Sequence, residues 1–203
     1  EWMVFGYRSR RLVINTNLVR LANAPTSFAA LTNSAWRGRF AMAYPLFGTT
    51  ATHFMALRAH WGGTTWREWC QALAANEPMI VDGNSVVVRQ VGRGEAAIGM
   101  TDIDDILAGQ REGYPIEAVP ICPDALLIPN SVAMVKGAPN PEGGGRFMAW
   151  LLKLETIYRL VAINAIEGTN PDQLETATIP PSWTSILSEL QPTTAELQRI
   201  FLR

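Results

Sequence analysis

Three carboxylates, Asp102, Asp104 and Asp105, stand within four residues, directly after the small apolar run of residues 96–100 (Ala-Ala-Ile-Gly-Met) and Thr101. Grouped acids suit a cation or an amine; acids in the first turn of a helix also complement its dipole. The spacing predicts that Thr101 caps a helix, with Asp104 three residues on closing a capping box. A second group is the stretch Phe-Gly-Thr-Thr-Ala-Thr at residues 47–52. Gly48 lets a ligand approach the backbone, and the hydroxyls of Thr49 and Thr50 with free N–H groups suit an oxyanion; the plain alternative is a helix cap. No lysine follows the glycine, so this is not a phosphate-binding loop of the nucleotide-hydrolase type. The third group is Asn84 and Ser85. Asn84 reads as an N-cap, and Val86, Val87 and Val91 give the following helix an apolar face that Gly92 and Gly94 break.

Other reactive types carry less. His53 and His60 lie two turns apart on one predicted helix, whereas metal pairs prefer one turn, so both read as packing or surface residues. Cys70 and Cys122 fit no metal or redox spacing and read as two unlinked thiols. The glycines of residues 92–99 end a helix where a dinucleotide fingerprint would follow a strand. No Gly-x-Ser-x-Gly, His-Glu-x-x-His or Cys/His dyad spacing is present, so no catalytic residue is assigned and an enzyme is not expected.

The elements that must position these groups follow from the pattern. The chain has 203 residues, 48% hydrophobic and 17% charged, with a net charge of −1. It carries no basic run, which argues against a nucleic-acid partner, and its apolar runs fall short of a membrane span. Residues 10–15 form a buried strand led by arginines, residues 25–31 a short capped helix, and residues 36–45 a turn and a strand ending at Pro45. Helices are predicted over 48–61, with Phe54, Leu57 and Trp61 on one face, and over 65–75, with Trp66, Trp69 and Leu73. Gly62 and Gly63 separate them. A short strand follows at 79–81. Residues 116–120, 125–128 and 131–135 are strand-like, helices begin at Pro141 and span 155–166, and a Pro/Thr-rich loop leads through Trp183 to two closing helices, the last over 194–202. Strands alternating with helices through the middle argue an α/β fold. The helix starts at 48–50, 84–85 and 101–104 each follow a strand or loop at one end of the same expected sheet, and so should converge on one cleft.

Taken in order, several segments resemble the type II periplasmic solute-binding proteins of ABC importers, nearest the ferric-ion-binding branch, over essentially the whole chain. Residues 11–15 (Arg-Leu-Val-Ile-Asn) look like the family's inter-lobe strand ending in Asn. Residues 27–31 with 35–39 (Ala-Trp-Arg-Gly-Arg) are similar to its Ser…Leu…Pro-x-Trp-Lys-Gly-Lys/Arg stretch. Gly48 and Thr49 fall where the family starts a helix with Ser-Gly to hold a synergistic anion. Asn84, Ser85, Val86, Val91, Gly94 and Glu95 match its Asn-Ser-Val…Val…Gly-Glu segment, and Ser182, Trp183 and residues 197–202 match its C-terminal end. The resemblance implies an α/β periplasmic binding fold of two lobes, each a mixed sheet flanked by helices. Residues 21–110 would form lobe two, and residues 1–20 with 111–203 the hinge and the remainder of lobe one. The family's first segment would lie outside this chain, leaving lobe one incomplete, so a bare apolar edge and self-association are expected.

By the same resemblance the protein is periplasmic, captures a small solute or metal between its lobes and presents it to a membrane permease. The family default is ferric iron or an iron–anion complex, as cargo. Iron-binding members carry a Tyr-Tyr pair where this chain has Ile103 and Asp104, so a phenolate site does not carry over. Carboxylate oxygens of Asp102 and Asp104 keep ferric iron open as a ligand. A zwitterion such as an aminophosphonate is the alternative, its anionic end on Gly48, Thr49 and Thr50 and its amine on Asp102 or Asp104. The effector-binding domain of a transcription regulator shares the fold and is a further alternative; an α/β enzyme is the least favoured.

Overall fold

A computed structural model describes residues 2–120, 122–174 and 179–202. A six-stranded mixed sheet organises the chain, in the order β3-β2-β4-β1-β5, with β6 paired to β1 off this path. β1 (Trp2–Asn15) is the shaft of the molecule. Its second half pairs antiparallel with β4 (Ile98–Asp102) and with β5 (Ile116–Ala118). Its first half pairs antiparallel with β6 (Leu127–Ala133), with an irregularity between Val4 and Gly6. β2 (Phe40–Ala43) lies parallel between β3 (Met79–Val81) and β4, so all three point their carboxyl ends the same way.

β1 is longer than the expected strand over 10–15. The extra residues alternate too weakly to be read as a strand, and it is pairing with β6 that extends them. β6 in turn is one strand where two were expected, because it runs through Pro129. A proline cannot donate to a ladder, so it is tolerated at an edge, and β6 pairs only with β1 among the described residues.

Helices cover the sheet as the apolar spacing predicts. α1 (Gly48–Trp61) and α2 (Gly63–Ala75) meet at Gly62, whose φ of 83° is the left-handed turn that glycine allows. They bury Phe54, Leu57, Trp66, Trp69 and Leu73 with Leu12, Ile14, Phe40 and Met42 of the strands. α3 (Asn84–Gly92) and α4 (Ile103–Arg111) close the other face, where Val87, Val88, Val91 and Ile106 pack on Val13 and Ala41. The expected helix over 25–31 is a single 3-10 turn at Ala29–Thr32, and the carboxylate of Asp124 accepts the backbone N–H groups of Phe28 and Ala29.

Beyond β6 come α5 (Pro141–Leu151), α6 (Leu154–Ala162), α7 (Trp183–Ser188) and α8 (Leu190–Phe201). α8 returns to α1 and α2, where Leu197 joins the main core. α5 and α6, by contrast, leave Phe147, Trp150, Leu154 and Tyr158 exposed, and Trp2 at the start of β1 is exposed too. No described helix is long and apolar enough to cross a membrane.

Candidate functional site

The antiparallel register of β1 and β4 places Arg10 directly across from Asp102. Their side chains close a 2.6 Å ion pair, both wholly buried. Side chains on a strand alternate, so Arg8 points the same way as Arg10. Its guanidinium donates to Asp104 at 2.9 Å and, through Nε, to the side-chain oxygen of Asn130 on β6 at 2.8 Å. Two arginines of one strand thus answer two of the three acids at the start of α4.

The Arg10–Asp102 pair is the floor of a polar cluster. One carboxylate oxygen of Asp102 accepts from Arg10, and the other accepts from the Thr49 hydroxyl and the Asn84 amide, each at 2.8 Å. The Asn84 amide also donates to Thr49. Arg10 also reaches Thr49 and Asn84 through one terminal nitrogen and Thr50 through the other, at 3.2–3.3 Å, while its buried Nε finds no partner among the described residues. A buried carboxylate is tolerable only when hydrogen-bonded and paired in this manner. Thr101 lies within β4 and donates its hydroxyl to the backbone oxygen of Asn84 at 3.2 Å.

Above this floor lies a cavity of about 140 Å³ lined by Ala43, Tyr44, Phe47, Gly48, Thr49, Thr50, Asp82, Gly83 and Asn84. Two helices open onto it without side-chain caps. The N-cap of α1 is Phe47 and that of α3 is Gly83, neither of which offers an acceptor. Gly48, the first helical residue of α1, has φ 57°, with open space where a side chain would begin. First-turn N–H groups have no partner inside their own helix, and among the described residues no side chain caps either helix. The backbone donors of Gly48, Thr49, Thr50 and Asn84, with two helix dipoles behind them, suit an anion.

The expected residues therefore divide. Gly48, Thr49, Thr50 and Asn84 line one cavity. Asp102 lies beneath it and Asp104 beside Arg8. Ser85 faces away, with Asp105, Arg89 and Tyr114, into a separate small recess on the other side of α3. The capping roles shift by one residue: Asp102, not Thr101, is the N-cap of α4, and Gly83, not Asn84, that of α3. Strand β4 runs two residues beyond its apolar run, which draws Thr101 and Asp102 into the ladder opposite Arg11 and Arg10.

Burial sets the charges. It raises the Asp104 carboxyl, opposed by Arg8, and pushes Asp105 up to about 7, with Asp104 and Asp102 adding like charge. His53, one turn beyond Thr49, is buried with its Nε2 at 2.8 Å from the Asp124 carbonyl oxygen. Burial first, and then the charge of Arg10, push it down to about 3, so it stays neutral. The packing role expected for His53 is the one it has, and His60 is exposed. Cys70 and Cys122 are both free and buried. Sequence reasoning did not single out Arg8 and Arg10 as site residues. Their signal was two cations two apart at the head of an apolar strand.

Comparison with known proteins gives this geometry a context. The sequence profile of a family described as bacterial extracellular solute-binding protein matches residues 4–158. An uncharacterized protein of Haemophilus influenzae is 26% identical over 152 residues, which cover 74% of this chain; the chain spans only 43% of that protein's length. Among solved structures, the periplasmic binding protein AfuA from Actinobacillus pleuropneumoniae, with exogenous fructose-6-phosphate bound, superposes with a TM-score of 0.80 at 18% identity. The match covers 99% of this chain and 68% of AfuA. Iron-bound HitA from Pseudomonas aeruginosa superposes at 0.73 and 18% identity, over 97% of this chain and 69% of HitA. The mixed sheet with flanking helices is thus the type II periplasmic binding protein fold, matched over about 70% of such structures' length.

Proposed function

The chain belongs to the bacterial extracellular solute-binding proteins, a binding family and not an enzyme family, and from that premise we propose that it is part of the solute-capturing component of an ABC importer. In this reading the solute is gripped by an oxyanion in the cavity between α1 and α3, and the loaded protein is handed to a membrane permease outside the cytoplasm. Residues 21–110 act as one lobe, and residues 1–20 with 111–203 as the hinge and the other lobe, with α8 returning to the first.

One observation carries the choice of ligand. Two helices, α1 and α3, start without side-chain caps and open onto the same cavity. Uncapped N-termini cost stability unless something else accepts their N–H groups, and a bound oxyanion does so. The acids take the opposite part: Asp102 and Asp104 neutralise Arg10 and Arg8. Of two solved structures of this fold, one is iron-bound and the other holds fructose-6-phosphate, so the fold accommodates both a metal and a phosphate oxyanion.

The iron–anion reading draws on the oxygens of Asp102, Asp104 and Asp105, which lie within 4.8 Å of one another. Arginines hold two of these three acids, so a ferric ion would have to displace them, and the anion half of that reading is the better supported. For a zwitterion such as an aminophosphonate, Asp82 on the cavity rim is the open carboxylate for the amine.

Calorimetry on the full-length protein with inorganic phosphate, an aminophosphonate and ferric citrate tests this. The expected result is that the phosphorus oxyanions bind and that Asn84→Leu weakens them tenfold or more, a loss of about 1.5 kcal/mol or above. Binding of ferric ion with no response to either phosphorus compound would favour the iron reading instead.

A further inference from the structure

β1 changes partners within a single step. Up to Ser9 it is laddered to β6, and from Arg10 onward to β4. Before the step a further segment joins it: Tyr7 donates its N–H to the backbone oxygen of Gly168, and its own oxygen accepts from the N–H of Glu167. Gly6 permits that approach, since a methyl group there would meet Ile166 at 2.6 Å. In the two-lobe reading above, β6 and residues 166–168 belong to one lobe and β4 to the other. The step from Ser9 to Arg10 is then where the chain bends as the lobes move.

A polar chain spans that step, on the face of β1 turned away from Arg8 and Arg10. Ser9, wholly buried, donates its hydroxyl to the Glu167 carboxylate at 2.9 Å and accepts from Nε of Arg11 at 2.8 Å. A terminal nitrogen of Arg11 lies 3.5 Å from the same carboxylate oxygen, and both side chains are largely buried. The other oxygen of Glu167 is buried without a partner among the described residues, so Arg11 is the cation that answers this acid. The two ends are anchored on opposite sides of the step. Glu167 is tied by its backbone to Tyr7, and Arg11 sits in the ladder across from Thr101. Bending between Ser9 and Arg10 must lengthen one of these contacts. We propose that Ser9, Arg11 and Glu167 form a latch that holds the hinge and so sets the balance between the open and closed forms of the protein. This rests on the two-lobe reading and adds the residues that control the motion. None of the three lines the oxyanion cavity, so the latch acts on the hinge and not on the solute.

Double electron–electron resonance on the full-length, solute-free protein tests this, with spin labels at Glu68→Cys on α2 and Arg146→Cys on α5. Both positions are exposed, and Cys70 and Cys122 are buried away from the label. Glu167→Gln keeps an acceptor for Ser9 but removes the charge. It is expected to shift the ratio of inter-lobe distances about fivefold, the effect of losing one largely buried ion pair. Arg11→Gln should do the same, and the double variant no more than either single. Thermal melting checks that all three variants fold. Single effects that simply add make Arg11 and Glu167 separate packing residues and overturn the latch. A wild-type spread of distances that every variant reproduces also overturns it and leaves the two lobes standing. One sharp distance, the same in wild type and variants, overturns the lobe motion and the latch with it.

Discussion

Arg10 and Asp102 face each other across the β1–β4 ladder and close a wholly buried ion pair of 2.6 Å. Removing one partner strands the other charge in the interior, which costs about 3–5 kcal/mol. Replacing both with apolar residues removes the problem along with the pair. Asp102→Leu is therefore expected to destabilise strongly, and Arg10→Met with Asp102→Leu to recover most of the loss. Urea unfolding of both singles and the double tests this. Simple additivity would show that the two residues are not one energetic unit.

His53 sets an acid limb. Its native pKa of about 3 lies below the ordinary 6.5. Between those values the unfolded chain binds a proton that the native chain refuses, so stability falls as pH drops from about 6.5 towards 3. His53→Gln keeps an N–H donor near the Asp124 carbonyl but cannot titrate. Its stability should fall less steeply from pH 6.5 to 4, by up to about 1.4 kcal/mol per pH unit. Parallel limbs in both proteins would show that His53 is not the group responsible.

Asp105 works in the other direction. Its native pKa of about 7 lies above its ordinary 3.8, so the native state holds a proton that the unfolded state releases between those values. Its contribution to stability is therefore lost as pH rises through 7. Asp105→Asn is expected to stabilise by about 1–2 kcal/mol at pH 8, after allowing for solvent screening, and to do nothing at pH 4. Melting curves at the two pH values decide; a gain of the same size at both would refute the assignment.

Gly99 couples the core to the site. A methyl group there would meet Val87 at 2.5 Å and Val91 at 3.0 Å, both on α3. Gly99→Ala should cost about 1–3 kcal/mol by pushing α3 away from β4. Because α3 carries Asn84, solute affinity should fall as well. Full affinity in a destabilised Gly99→Ala protein would mean that α3 tolerates the shift without moving its first residue.

The exposed side chains Phe147, Trp150, Leu154 and Tyr158 form apolar surface on α5 and α6. The isolated 203-residue chain is expected to self-associate through it. Sedimentation velocity reads this directly; a monodisperse monomer at high concentration would count against the expectation.

Much of the sheet half was legible because its helices carry unbroken apolar spacing and are ended by glycine, as α1 is at Gly62. The strands β2, β3 and β4 were short apolar runs between turn signals. What local pattern could not supply was pairing at a distance. Arg8 and Arg10 read as a polar lead-in to a strand until β4 and β6 place Asp102, Asp104 and Asn130 beside them. The capping residues shifted for the same reason: ladder bonds to β1 hold Thr101 and Asp102 in extended form, against the helix-start preference of Thr101.

The order in which β1 finds its partners bears on how the protein is made. The contact of Arg10 with Asp102 spans 92 residues, and that of Arg8 with Asn130 spans 122. Residues 2–15 therefore leave the ribosome long before either neighbour exists, and the sheet cannot close around them until most of the chain has been synthesised. Such non-local pairing slows folding. Until it is complete, the strand is an open edge that can pair with another chain. A holding chaperone that covers residues 2–15 until β4 and β6 have been made would keep that edge from pairing with another chain.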